Sequence, residues 1–544
     1  MLRQTSVAIA YFCLCVVICA SPPAQKQIDK LIKARSPGKL SDISSDAAFL
    51  RRIHLDLVGD IPTAQEALEF IESKSSSKRI EVINTLLDDP RYARNMAERF
   101  NIMLMERRAT NEHWSEFLNA AFSENRPADA LVRQILTPSA SDTENVGANH
   151  FLTSRLQKIG QNPTDYPGLA SDIGRMFLGV NLACAQCHDH LFVTDYKQAD
   201  FQGMYAFVLH SYIRNDVTYP AIGERIMNKP LVFSSVFGGE QTTTGPRIYM
   251  GTQFEIEVFD KGNEFAVEAN KETKEPAIPR FSPLRILSEN LPRADNHQFA
   301  RNFANRLWFL MLGRGIVHPL DLHHSENEAS HPEVLDILES ELITSGYDVK
   351  HVLRIIASSE TYQRSSSLPK NTTSVSPTSF RSFPTKPLSA EQLKWSMLRA
   401  TGMLPETLTR SETESDPEET KTVIPTDSVD MSAANQKFLE AYANPPKEAE
   451  IDFTPSVRAA LFLLNDDLVV SWTLPASGNL AETLSEMDTK PLSKHLFLTI
   501  LSRLPTDDET RTIENHLIEE PDKTTALSNL IWSLLASTEF ATNH

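Results

Sequence analysis

Cys184-Ala185-Gln186-Cys187-His188 sets two thiols three residues apart, with an imidazole directly after the second. This is the C-x-x-C-H spacing of a c-type haem attachment site. Such a haem needs two thiols on one short segment, placed to form thioethers with its two vinyl groups. It also needs an imidazole beside the second thiol to bind the iron. Chance writes this pattern in roughly one chain in a thousand of this composition, so coincidence explains it poorly. Of five cysteines, Cys13, Cys15 and Cys19 fall in a leader expected to be removed. Cys184 and Cys187 are then the only thiols of the mature chain.

A sixth iron ligand sets the potential, which Met raises and His leaves lower. The candidates are Met204, Met176, His210 and His190. Met204 and His210 lead, because the short link from His188 keeps His190 from crossing the haem plane. The same residues allow other chemistry. Two thiols in an oxidising compartment can form a disulfide. Cys184, Cys187, His188 and His190 can be drawn as a cramped zinc set. The thiols can also be reduced and structural. Asp189 is either an acceptor behind a ligating imidazole or a solvated loop carboxylate.

A second polar cluster runs from His318 through Asp321, His323, His324 and Glu326, with His331 nearby. Imidazoles and carboxylates so close in sequence could hold a divalent metal. They equally suit a polar loop between helices, with His331 a first-turn residue. Asn305, Arg306 and Trp308 share a helical stretch and could line a site or pack. The signatures H-E-x-x-H, G-x-S-x-G, the P-loop and G-x-G-x-x-G with its acidic partner are all missing, so no enzyme class is indicated.

The elements that position these residues read as mainly α. The 544 residues allow two or three domains, with 41% hydrophobic and 23% charged residues as in globular chains. A net charge of −18 argues against nucleic acid as a partner. Arg3, the apolar run from Val7 to Cys19 and Ala20 predict a signal peptide over 1–20, cut before Ser21. An uncleaved anchor is the alternative, and a lipoprotein at Cys19 is disfavoured by Ile18. No later segment suffices for a membrane span, so export to the periplasm or cell envelope is expected.

Helical spacing and caps predict helices over 46–57, 64–71, 91–105, 114–122, 128–136, 166–178, 200–209, 297–312, 348–362, 388–401, 457–464, 494–502, 507–519 and 525–537. Thr63 with Glu66, and Ser330 with Glu333, read as capping boxes; Asp89-Pro90 reads as an N-cap followed by N1 proline. Leu231–Phe233 and the alternating Phe254-Glu-Ile-Glu-Val258 predict strands, with a turn at Gly245-Pro246. The expected organisation is multi-helical N-terminal and C-terminal domains with a small β-rich module between them. Residues 21–213 form the helical domain bearing C-x-x-C-H, 214–275 the β-rich module and 276–364 a second helical domain. Residues 365–385 form a Ser/Pro/Thr-rich linker, and 386–544 the helical remainder, with a mobile acidic stretch at 406–429.

Phe49-Leu-Arg-Arg-Ile-His-Leu-Asp-Leu-Val-Gly-Asp-Ile-Pro-Thr63, Asp89-Pro-Arg-Tyr-Ala93 and Phe177-Leu-Gly-Val-Asn-Leu-Ala-Cys-Ala-Gln-Cys-His-Asp-His190 resemble the domain of unknown function 1549. That domain belongs to exported cytochrome-like proteins characteristic of planctomycetes. Asn305-Arg-Leu-Trp308, Leu312-Gly-Arg-Gly315, Ser330-His-Pro-Glu333, Ser345-Gly-Tyr-Asp348, Ser358-Ser-Glu-Thr-Tyr-Gln363, Leu388-Ser-Ala-Glu-Gln392 and Ser537-Thr-Glu-Phe540 resemble its usual partner, domain 1553. The 276–364 and 386–544 stretches would be the two parts of domain 1553. The resemblance implies export, a mainly helical fold and a C-x-x-C-H site, but no established activity. The family commonly continues His-Asp-His-Pro-Phe; Leu191 replaces the proline here, and a buried apolar contact is expected of it. Related chains often carry acidic residues at the positions of His323 and His324.

Three functions follow in order. The first is an exported cytochrome-like protein with covalent haem c and an electron-transfer or redox role, meeting a redox partner. The second is a haem-free envelope binding or scaffold protein, with the motif as a disulfide clip or small metal site. The third is a hydrolase of extracellular polymers.

Overall fold

A computed structural model describes residues 22–36, 38–108, 111–139, 142–158, 160–214, 216–270, 272, 276–404, 430–448 and 457–544. The leader and the acidic stretch 406–429 lie outside the described residues.

The N-terminal helices are α1 (Ala24–Arg35), α2 (Asp46–Leu57), α3 (Ala64–Glu72), α4 (Lys78–Asp88), α5 (Pro90–Met105), α6 (Glu112–Ser123), α7 (Ala128–Leu136), α8 (Asn149–Leu156), α9 (Tyr166–Ile173) and α10 (Gln198–Val208). A π-helical turn, Gly174–Leu178, continues α9, and a 3-10 turn, Ala183–Gln186, carries the first cysteine. Then come α11 (Pro283–Asn290), α12 (His297–Leu312), α13 (Pro332–Thr344), α14 (Val349–Ser358), α15 (Glu360–Gln363) and α16 (Ala390–Thr401). The chain closes with α17 (Met431–Tyr442), α18 (Val457–Asn465), α19 (Asp467–Thr473), α20 (Leu480–Ser485), α21 (Thr489–Leu501), α22 (Asp507–Glu519), α23 (Lys523–Leu535) and α24 (Thr538–Ala541).

Local chemistry sets these boundaries. Ser45 caps α2 by accepting from the Ala48 N–H. Thr63 and Glu66 form the expected reciprocal box on α3, and Asp89 caps α5 ahead of Pro90. The Ser330 box is absent. Pro332 begins α13, so the cap position falls on His331, while Ser330 donates to the Ile316 carbonyl and Glu333 pairs with Arg35.

Between α10 and α11 lie β1 (Ser211–Arg214), β2 (Ala221–Glu224), β3 (Leu231–Phe233), β4 (Thr242–Thr244), β5 (Phe265–Val267) and β6 (Ile278–Pro279), paired as three antiparallel hairpins. Residues 254–258 are not a strand. Their alternation holds in burial only as far as Ile256, since Val258 is 66% exposed. Phe254 packs on the main core and Ile256 on a small cluster with Met227 and Phe281, without a pairing partner. A last pair joins β7 (Lys386–Pro387) to β8 (Thr542–Asn543).

Two hydrophobic cores result. The first runs from α1 through α14 and takes Tyr249 from the β-rich region, while Met227 and Phe281 sit in a separate small cluster. The second gathers α16 to α24. Helix α2 feeds both: Phe49, Leu50, Ile53 and Leu57 enter the first, and Leu55 enters the second. The Ser/Pro/Thr-rich stretch 365–385 is tied down, because Phe380 and Phe383 are buried in the first core. Arg52 stacks 3.6 Å from the Phe383 ring centroid.

Candidate functional site

Helix α9 and its π-helical turn end at Gly179, whose positive φ of 67° turns the chain toward the cysteines. Val180 bridges to Leu322, and the His323 N–H donates to the Gly179 carbonyl. The loop between α12 and α13 thus braces the approach to the motif.

Cys184 and Cys187 are exposed free thiols. Ala185 between them is buried and anchors the turn. From behind, Gln202 of α10 donates to the Gln186 carbonyl at 2.9 Å, and Gln198 donates to the Ser234 carbonyl. From the side, the β3–β4 connection lies across the motif. The Val236 N–H donates to the Cys187 carbonyl at 3.0 Å, and the Phe237 ring sits 4.6 Å from His188. Sequence spacing gave no sign of this strap, because its residues join the motif only in the fold.

The two histidines have opposite tautomers. His188 Nδ1 donates to the Asp189 carbonyl at 2.6 Å, which leaves the Nε2 lone pair available. His190 Nδ1 instead accepts the N–H groups of Phe192 and Val193, at 3.2 and 2.9 Å, which places its proton on Nε2. His190 therefore ties the turn that a proline would have stiffened. Leu191 is 66% exposed and makes no buried contact, contrary to expectation. The Asp189 carboxylate is no acceptor for an imidazole. It caps α10 by accepting from the Gln198 N–H and pairs with Lys197.

Met204 is buried in the first core; two residues on from Gln202, it is turned roughly 200° around the helix. His210 lies beyond the end of α10, about 12 Å along the helix from Gln202. Met176 is buried as well.

Among the described residues, no group of three or more His, Cys, Asp or Glu side chains is placed to hold a metal ion. The zinc set fails because His190 spends Nδ1 on backbone donors. The imidazoles of the His318–His331 cluster have separate surroundings. His323 is buried beside Asn305, and burial with Arg306 nearby pushes it down to about 3. His324 stands edge-on to Tyr196. His331 packs against Phe380, and burial pushes it down to about 4.

Away from the motif, the sequence match from Phe49 to Thr63 carries two buried ionic hubs. Asp56 accepts from Tyr362, Lys386 and Asn543. Asp60 pairs with Arg91, Arg94 and Arg399. Residues 27–212 match the family described as PSCyt2, protein of unknown function (DUF1549), and residues 285–517 match PSD1, protein of unknown function (DUF1553). The chain belongs to the proteins that carry both domains. No curated protein and no solved structure matches it.

The hubs are therefore the joints between the DUF1549 and DUF1553 domains, with Asp56 and Asp60 in the first and Lys386 and Arg399 in the second. The C-x-x-C-H loop belongs to DUF1549, and the loop that braces its approach belongs to DUF1553. No helix among the described residues is long and apolar enough to cross a membrane.

Proposed function

We propose that this is an exported, cytochrome-like protein of the periplasm or cell envelope that holds one haem c covalently and serves a redox partner. The observation that carries the reading is the state of His188: an imidazole with Nε2 free, beside two exposed, unjoined thiols. The donor set fits the group. Cys184 and Cys187 would form the thioethers and His188 would bind the iron, with the Asp189 carbonyl holding the ring in the right tautomer. A haem held there supplies a one-electron iron couple. Leu191, Phe192, Val236 and Phe237 expose large apolar surface around the motif, Phe192 to 82% and Phe237 to 71%. Singly such exposure is ordinary, but together beside a thiol pair it suits the face of a porphyrin or a docking partner.

Co-expression of the full chain with haem-maturation machinery tests this. The product should carry a Soret band that survives acid-acetone extraction, and its mass should exceed the polypeptide by one haem. Replacing both cysteines by serine should remove both signals. A colourless product of unmodified mass, made where a known c-type cytochrome matures, would sink the proposal. Thiols that resist alkylation until reduced would make the motif a disulfide clip of a haem-free envelope protein.

A further inference from the structure

A second feature lies where the two domains meet. A cavity of about 250 Å³ opens between α5, α12 and the start of α16. At a liquid share of about 30 Å³ per water, it has room for about eight waters, or one small molecule. Ile102, Met176, Phe309 and Leu320 give it apolar walls, and Arg175, Arg306, Glu106 and Asp321 give it charge.

With Arg99 and Lys386 also in the lining, four cations face two carboxylates. Glu106 is engaged by Arg175 and Arg108, and Asp321 by Arg175. Arg306 is only 6% exposed, yet its guanidinium forms no ion pair among the described residues. Its Nε donates to Asn302 and one terminal nitrogen donates to the Arg175 carbonyl, which are neutral acceptors. Burial pushes Arg306 down to about 10, far short of neutralising it at physiological pH. Asp321 and Glu106 lie near enough to favour its charge but form no direct ion pair with it. A buried guanidinium lining this cavity with no directly paired anion is costly unless one completes it.

We infer that this interdomain cavity binds a small carboxylate with an apolar body, its carboxylate on Arg306 and its hydrocarbon against Phe309 and Leu320. A carboxylate matches the planar guanidinium fork, and the apolar walls exclude a bare inorganic anion as the preferred ligand. The site is separate from the thiols and does not depend on haem.

Titration calorimetry on the full chain tests it, with hexanoate and benzoate as probes and hexanamide and benzamide as their neutral counterparts. The acids should bind at least about tenfold more tightly than the amides, as charge-assisted hydrogen bonds require. Arg306→Met should abolish that preference, and Arg306→Lys should restore part of it. Leu320→Phe, which fills the cavity and leaves Arg306 in place, should weaken the acids and amides together. Absence of carboxylate binding at millimolar concentration, equal binding of acid and amide, or an acid preference that survives in Arg306→Met would each overturn the inference. Should Arg306→Met not fold, the acid–amide contrast in the unaltered chain decides alone.

Discussion

Asp56 and Lys386 stand 2.6 Å apart, carboxylate against ammonium, and the carboxylate is wholly buried. The Lys386 ammonium also donates to the carbonyls of Leu310 and Met311, so all three of its protons are used. Burial still pushes it down to about 8. One side chain from each domain thus supplies what the other could not bury alone.

Asp56→Ala should therefore cost about 3–5 kcal/mol, because it leaves Lys386 buried without its anion. Urea unfolding at neutral pH reads this out. Adding Lys386→Met in the same chain should recover part of the loss. A double variant as unstable as the sum of the two singles would show that the pair is not coupled.

Acid should weaken the fold through its buried histidines. His323 and His331 are held neutral in the native state, at about 3 and about 4. His323 faces Arg306, Arg301 and His324, and His331 faces Arg35 and Glu333. Their folded values lie below the unfolded ones, so the unfolded chain binds more protons as pH falls. The contribution is complete above an ordinary histidine value of about 6.5 and is lost below it. Stability should drop by up to about 1.4 kcal/mol per pH unit for each imidazole between pH 6 and 5. The urea midpoint measured across that range, with His331→Gln as the comparison, should show a shallower slope in the variant.

Gly179→Ala should destabilise by about 1–3 kcal/mol, since it puts a side chain in the left-handed region. The new Cβ would lie 2.6 Å from Asn302 Oδ1 and 2.8 Å from His323 Cδ2. Thermal unfolding checks the loss. A melting temperature unchanged from the parent would mean that the α12–α13 loop yields freely.

His190→Ala should loosen the turn after the cysteines by about 1 kcal/mol, freeing two backbone donors. Amide exchange at Phe192 and Val193, followed by mass spectrometry, should quicken several-fold. Haem attachment in the same variant should persist, because His188 keeps its own partner. Loss of haem with unchanged exchange would reverse the two histidines' roles.

Much of this was legible locally. Thr63 and Asp89 announce their helices, because a cap and its first turn are neighbours in sequence. Leu231–Phe233 is a strand for the same reason. What escaped depends on distance along the chain. Nothing near Asp56 points to Lys386 or Asn543, and helical spacing made α2 look like ordinary scaffold when it is the seam between two cores. Phe254 and Ile256 are covered but Val258 is not, and alternation alone does not supply a partner strand. At the motif, spacing identified Cys184, Cys187 and His188 as a set. It could not show that His190 turns its lone pair to the backbone, or that Met204 faces the core.

The contact between Asp56 and Asn543 bridges 487 positions. At ribosomal speeds of about 5–20 residues per second, that gap corresponds to about 25–100 s of synthesis. The first domain is made early but cannot complete its central ionic joint until Asn543 is present. A chain halted anywhere before Asn543 would hold an Asp56 lacking one of its donors.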